Sequence, residues 1–200
     1  MTLDPADRAL AVAEEVADAL ARRGVRTALI GAVAMAVHGY TRATQDIDLA
    51  TVGVPLATLR EVTDELRATG HPTELREPDA GDPLGGLIRV EAGDDLQIDV
   101  VNFGNPFTGA TRRVGTAALD APTWPIPGRR LVVVGVESLV LLKLAAGSRF
   151  DLQDAAHLLT LHPEIDRDAL RTRCAALRLD RKFDRVIADL REPPDDDPPP

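Results

Sequence analysis

A strand-like stretch from Val25 to Ile30 meets Gly31 directly, and the alanine-rich stretch Ala32-Val33-Ala34-Met35-Ala36-Val37-His38-Gly39 follows at once. A buried strand that turns into a short helix through a single glycine gathers backbone N–H groups at the helix start, where an anion can be held. After thirteen residues intervening from Ala32, Asp46-Ile47-Asp48-Leu49 reads as a second strand. Side chains on a strand alternate between faces, so Ile47 and Leu49 enter a core while Asp46 and Asp48 share the other face. Two carboxylates about 7 Å apart on one face repel unless cations or donors stand between them. A chain with these two features is expected to build a sheet with helices against it and an acidic site at one strand end.

The remaining segments fit that architecture. Asp4-Pro5 is a helix start, with Leu10, Ala13, Val16, Ala17 and Leu20 at helical spacing and Gly24 as the stop. Residues 55–69 form an amphipathic helix carrying Leu56, Leu59, Val62 and Leu66 on one face. Two strands are expected over 87–91 and 96–102, joined by the turn Ala92-Gly93-Asp94-Asp95. Residues 103–130, rich in Gly, Pro and Arg, read mainly as loop with one short helix. Residues 131–134 read as a buried strand, and 137–146 and 152–161 as helices. A charged helical stretch follows from Ile165 to about Leu190. Strands with helices come first and helices alone come last, which predicts an α/β (α+β) protein. We divide it into a core over 1–134, a C-terminal helical region packed on it over 135–190, and a disordered acidic, proline-rich tail over 191–200.

Composition narrows the function classes. The formal charge of −9 opposes tight non-specific binding to a polyanion, although a local basic groove would be compatible with it. Aromatic residues make up 3% of the chain, so stacking platforms for exposed bases are few. Its one cysteine, Cys174, gives no disulfide framework and no cysteine-based zinc site. No signal pattern opens the chain and no apolar run is long enough to span a bilayer, so the expectation is a soluble cytoplasmic protein without a membrane partner.

A third acid, Asp99, stands mid-strand in Leu96-Gln97-Ile98-Asp99-Val100-Val101, where an unpartnered carboxylate is costly. Pairing that strand beside the first would bring Asp99 to Asp46 and Asp48. A lone Asp-x-Asp in an acidic chain marks a solvated strand face. Two acids on one strand, a third mid-strand and the strand–glycine–helix turn together favour a divalent-metal site, because Mg2+ takes one or two carboxylates plus phosphate oxygens. Lys143 is set in an otherwise apolar helix, where it must either find a partner or reach solvent. The histidines show no metal-ligand spacing. Of them, His38 beside Tyr40 fits a hydrogen-bonded surface histidine better than a base contact. Arg167, Arg171, Arg173, Arg178, Arg181, Lys182 and Arg185 are interleaved with aspartates, as on a salt-bridged solvent face.

Leu29-Ile30-Gly31-Ala32, Asp46-Ile47-Asp48-Leu49 and the later Asp99 resemble the signature of the DNA-polymerase-β-like nucleotidyltransferases. Within that superfamily, Arg42-Ala43-Thr44-Gln45-Asp46-Ile47-Asp48 is similar to the wording of AbiEii-like proteins, the toxin components of toxin–antitoxin systems. So is Leu142-Lys143-Leu144-Ala145-Ala146 with Arg149-Phe150-Asp151-Leu152-Gln153-Asp154. The resemblance covers approximately residues 27–161 and implies a small mixed sheet flanked by helices.

It also implies transfer of a nucleoside monophosphate from a nucleoside triphosphate to an acceptor such as tRNA or a protein, and neutralisation by a cognate antitoxin. Asp46, Asp48 and Asp99 would hold two Mg2+ ions, or Mn2+, with Asp99 also placed to act as base. Lys143 and Arg42 would neutralise the β- and γ-phosphates, and Gly31, Ala32, Thr44 and Asp154 would complete the nucleotide site. One position departs from the pattern. The turn usually reads Gly-Gly or Gly-Ser, and Ala32 has no hydroxyl to offer a phosphate. Two alternatives therefore stand beside the toxin-type enzyme: a silent nucleotide- or partner-binding module of the same fold, and an enzyme that modifies a small hydroxylated molecule such as an antibiotic.

Overall fold

The computed structural model describes residues 4–93 and 95–190. The turn residue Asp94 and the tail over 191–200 lie outside them.

The chain opens with α1 (Pro5–Ala21), which has proline in its first turn. There follow β1 (Ala28–Ile30), α2 (Gly31–Val37), β2 (Asp46–Val52), α3 (Leu56–Ala68) and β3 (Thr73–Arg76). The hairpin β4 (Leu84–Gly93) and β5 (Leu96–Phe103) leads to α4 (Arg112–Leu119), β6 (Thr123–Pro125) and β7 (Val132–Val134). Four helices close the described chain: α5 (Val136–Ala146), α6 (Arg149–Leu161), α7 (Arg167–Ala176) and α8 (Asp180–Asp189).

The strands form one seven-stranded mixed sheet in the order β3-β4-β5-β2-β1-β7-β6. The β2–β5 and β1–β7 pairs are parallel, and the others are antiparallel. The β2–β5 pairing sets Asp48 directly beside Asp99 and Asp46 beside Gln97. Buried Asn102, near the end of β5, ties the loop after β2 to the start of β4. Its Nδ2 donates to the carbonyls of Val54 and Gly85, and its Oδ1 accepts from Val54 N–H.

Three details depart from the sequence expectation. The strands β3 and β6 were not expected, because edge strands need no apolar alternation: Thr73-Glu74-Leu75-Arg76 is half charged, and Thr123-Trp124-Pro125 is exposed throughout. The first strand begins three residues later than expected, at Ala28. The stretch from 165 to 190 is two helices, broken where Arg178 takes a left-handed φ of +62° and Leu179 turns inward.

One hydrophobic cluster runs through the molecule, from Ala9 in α1 through Leu29, Leu49, Ile98 and Val133 in the sheet to Leu139, Leu158 and Phe183 in the C-terminal helices. Helix α5 is buried on all sides except near Lys143 and its ends. At its C-terminus Gly147 adopts a left-handed φ of +72°, and Lys182 from α8 donates to the carbonyls of Leu144 and Ala145. Ser148 and Asp151 then start α6 with a reciprocal capping box. These caps aim Lys143 and the first turn of α6 at one another.

Candidate functional site

Ile30, the last residue of β1, pairs with Asp48, so the turn into α2 passes directly over that carboxylate. Gly31 has φ +66°, and a Cβ built on it would overlap Oδ2 of Asp48. Both the conformation and the close approach require glycine here. Ala32 is buried, so it offers the site backbone groups only. Thr44 lies before β2, and its hydroxyl bonds the backbone of Asp46.

Asp46 and Asp48 share a face of β2, as alternation demands, and Asp48 faces Asp99 across the parallel ladder. Among the described residues no hydrogen bond or ion pair reaches the Asp48 carboxylate. Its pKa is pushed up to about 6, first by burial and then by the charges of Asp99 and Asp46. Lys143 and Arg42 pull the other way without offsetting them. The other two acids are engaged. Gln97 donates to Asp46, and Arg89 from β4 grips both oxygens of Asp99, with Nε at 2.9 Å and Nη2 at 2.7 Å. This pairing raises the pKa of Arg89 above its ordinary value.

The cationic side lies on α5 and α6. Lys143 bonds Asp154 at 2.8 Å and Asp151 at 3.0 Å, and Arg42 reaches Asp154 at 3.5 Å. Lys143 therefore has partners within the fold, and buried Asp154 holds both Lys143 and Arg42. Burial alone would raise the Asp151 pKa, but its bonds to Ser148 and Lys143 hold it below the usual carboxylate value. Lys143, Asp48, Gly31 and Asp151 line a cavity of about 430 Å3, whose other walls include Leu84, Phe103, Leu139 and Leu142.

The donor chemistry of Asp46 and Asp48 fits a hard divalent cation: all-oxygen ligands, uncompensated charge on Asp48 and two neighbouring carboxylates that raise its pKa. The third acid stands apart. Among the described residues no group of three acidic, histidine or cysteine side chains is gathered for a single ion, and both oxygens of Asp99 belong to Arg89.

Reading the sequence missed Arg89 and Gln97. Arg89 carried a signal, since it is a charged residue inside the apolar run Leu87-Ile88-Arg89-Val90. The expected turn over 92–95 would set it opposite Ile98, and the register shift between Glu91 and Gly93 carries it to Asp99. Gln97 carried none, because its position beside Asp46 follows from a parallel pairing between distant segments. The histidines behave as hydrogen-bonded surface residues: the His38 ring bonds the Val134 carbonyl, and the ring of His162 bonds Glu164 and the His38 carbonyl. Tyr40 stacks on His157, with ring centroids 4.8 Å apart. In the basic helical stretch Arg171 is forked on Asp184 and Arg173 pairs with Glu137, while Lys182 bonds the last carbonyls of α5.

No family model matches the chain. Two solved structures of nucleotidyltransferase type share its fold. The antibiotic-resistance factor ANT(2'')-Ia, in its solution structure, is 17% identical with a TM-score of 0.54, over 94% of this chain and 96% of that one. An antigenic nucleotidyltransferase-like protein from Paracoccidioides brasiliensis is 19% identical with a TM-score of 0.51, over 92% of each chain. The fold is thus that of the nucleotidyltransferases.

Proposed function

We propose that the chain is a divalent-metal-dependent nucleotidyltransferase, moving a nucleoside monophosphate from a triphosphate to a hydroxyl acceptor. The observation that carries this reading is the β2–β5 register, which places Asp48 beside Asp99 under the Gly31 turn and on the wall of the cavity that Lys143 also lines.

Asp46 and Asp48 would hold Mg2+ or Mn2+. When bound, the ion lowers the pKa of the attacking hydroxyl and offsets charge on the triphosphate. The acceptor oxygen bonds the α-phosphorus, the bond from that phosphorus to the oxygen bridging the β-phosphate breaks, and pyrophosphate leaves. The hydroxyl proton passes to the Asp99 carboxylate once that group is free of Arg89. Lys143 and Arg42 neutralise the β- and γ-phosphates, held in position by Asp154. The turn Gly31-Ala32 supplies backbone N–H groups in place of the absent hydroxyl.

The resemblance of residues 42–48 and 142–154 to AbiEii-like proteins supports a toxin-type acceptor, tRNA or protein, and a cognate antitoxin. A second reading, a small hydroxylated acceptor, is favoured by the net charge of −9, which opposes a polyanionic acceptor. The fold shared with the antibiotic-resistance factor ANT(2'')-Ia is compatible with it.

The test incubates the purified chain with each labelled triphosphate and Mg2+, in separate arms with total RNA, cell lysate and a panel of aminoglycosides and other polyols. Label transfer is expected in one arm, falling at least a hundredfold in Asp46→Asn and Asp48→Asn. Transfer that persists in those variants would overturn the assignment of the site. Triphosphate binding with no transfer in any arm would favour the silent module.

A further inference from the structure

Arg89 and Asp99 stand directly opposite each other on β4 and β5, and both nitrogens on one edge of the guanidinium reach both oxygens of the carboxylate. The two ends of this pair differ in freedom. The Asp99 side chain is 10% exposed and fixed mid-strand, whereas the Arg89 side chain is 44% exposed at the end of a flexible stem. The fork occupies the oxygens that a metal would need, so the three-carboxylate set is divided: Asp46 and Asp48 face the site, and Asp99 is closed. Guanidinium binds phosphate in the same planar, two-point manner as carboxylate. Arg89 also lies close enough to Asp46 to feel its charge, so it borders the whole acidic set.

We propose that Arg89 is a positioning residue that serves as the resident counter-ion of Asp99 and exchanges it for the triphosphate. Without nucleotide, Arg89 keeps Asp99 aimed and unavailable. When metal and triphosphate arrive together, the guanidinium moves to phosphate oxygens and releases Asp99 to the site. Metal alone binds weakly at Asp99 because it must displace a cation that has nowhere else to go. Metal with triphosphate binds cooperatively because the triphosphate supplies that destination. The inference rests on the metal-dependent reading above.

The experiment is calorimetric titration of the full chain with Mn2+ alone, then with Mn2+ plus a non-hydrolysable triphosphate, for wild type, Arg89→Gln, Arg89→Lys and Asp99→Asn. Arg89→Gln should bind Mn2+ alone about tenfold more tightly, since a hydrogen-bonded competitor for a charged group has been removed. It should bind the triphosphate several-fold more weakly. Arg89→Lys, which keeps the charge without the fork, should fall between. Thermal melts keep the test decisive if Arg89→Gln is unstable. A buried, unpaired Asp99 should lower Tm, Mn2+ should restore it, and the double variant Arg89→Gln/Asp99→Asn should recover without metal.

If Arg89→Gln binds Mn2+ no more tightly than wild type and its Tm loss is equal with and without Mn2+, the pair only ties β4 to β5 and the inference fails. If wild type binds no Mn2+ even with the triphosphate present, or if Asp48→Asn titrated alongside binds it equally well, the proposed metal site itself falls.

Discussion

A methyl group on Gly31 would collide with Oδ2 of Asp48, and the φ of +66° there already disfavours any side chain. Gly31→Ala should therefore displace the carboxylate rather than simply strain the turn. The expected result is a loss of transfer of about a hundredfold, the usual effect of a misplacement near 1 Å, together with weakened Mn2+ binding. Asp48 itself supports a prediction without turnover. Its folded pKa of about 6 lies above the unfolded value of 3.8, so the folded chain holds a proton that the unfolded chain releases first. The stability that Asp48 contributes is therefore fully present below about pH 4, is lost as pH rises through about 6, and stays absent above that. The shift corresponds to about 3 kcal/mol at most. In metal-free buffer Asp48→Asn should melt higher than wild type at pH 7.5, with the gap closing near pH 4. Mg2+ should raise the wild-type Tm and leave the variant unchanged. Equal melting at both pH values would show that the Asp48 charge is already compensated. At this scale the acids were legible in the sequence, since alternation fixes Asp46 and Asp48 and an Asp within Ile98-Asp99-Val100 must have a partner. The identity of that partner was not legible, because Arg89 becomes its neighbour only through the hairpin register.

Elements whose apolar pattern faces a core were legible from their spacing: α1, α3, β2, β5 and β7 lie within a few residues of expectation. Those whose position is set by a neighbour were not, as with the edge strands β3 and β6 and the break between α7 and α8. The corner between α5 and α6 shows how far such neighbours matter to the site. Lys182 caps the last carbonyls of α5, while Gly147 turns the chain so that Lys143 meets Asp151 and Asp154. Gly147→Ala places a methyl against the Lys182 ammonium at a left-handed φ. The expected cost is about 1–2 kcal/mol, read as a lower Tm. Because the corner sets Lys143, KM for the triphosphate should rise more than kcat falls. Lys182→Met should reproduce the Tm loss in part, by removing the cap alone. An unchanged KM in both variants would separate the corner from nucleotide binding.

At the scale of the whole molecule, the division of the chain near residue 134 marks a change in element type without a gap in packing. Ile30 and Val133 on the sheet share one apolar cluster with Leu139, Leu141 and Leu144 of α5, Leu158 of α6 and Phe183 of α8. Helix α5 is apolar nearly all round, as a helix is when protein covers it on every side. Those four leucines and Phe183, at about 2 kcal/mol each, contribute roughly the entire net stability of an ordinary domain. A chain ending at residue 134 would lose that contribution and expose the sheet face that α5 covers, and Lys143 would go with it. Residues 1–134 expressed alone should therefore show poor amide dispersion by NMR and no cooperative melt. The full chain should unfold in a single transition, reported alike by far-UV circular dichroism and by the fluorescence of Trp124 on β6. A folded 1–134 fragment, or two separate transitions in the full chain, would show that the sheet carries its own core and that the C-terminal helices are an attachment.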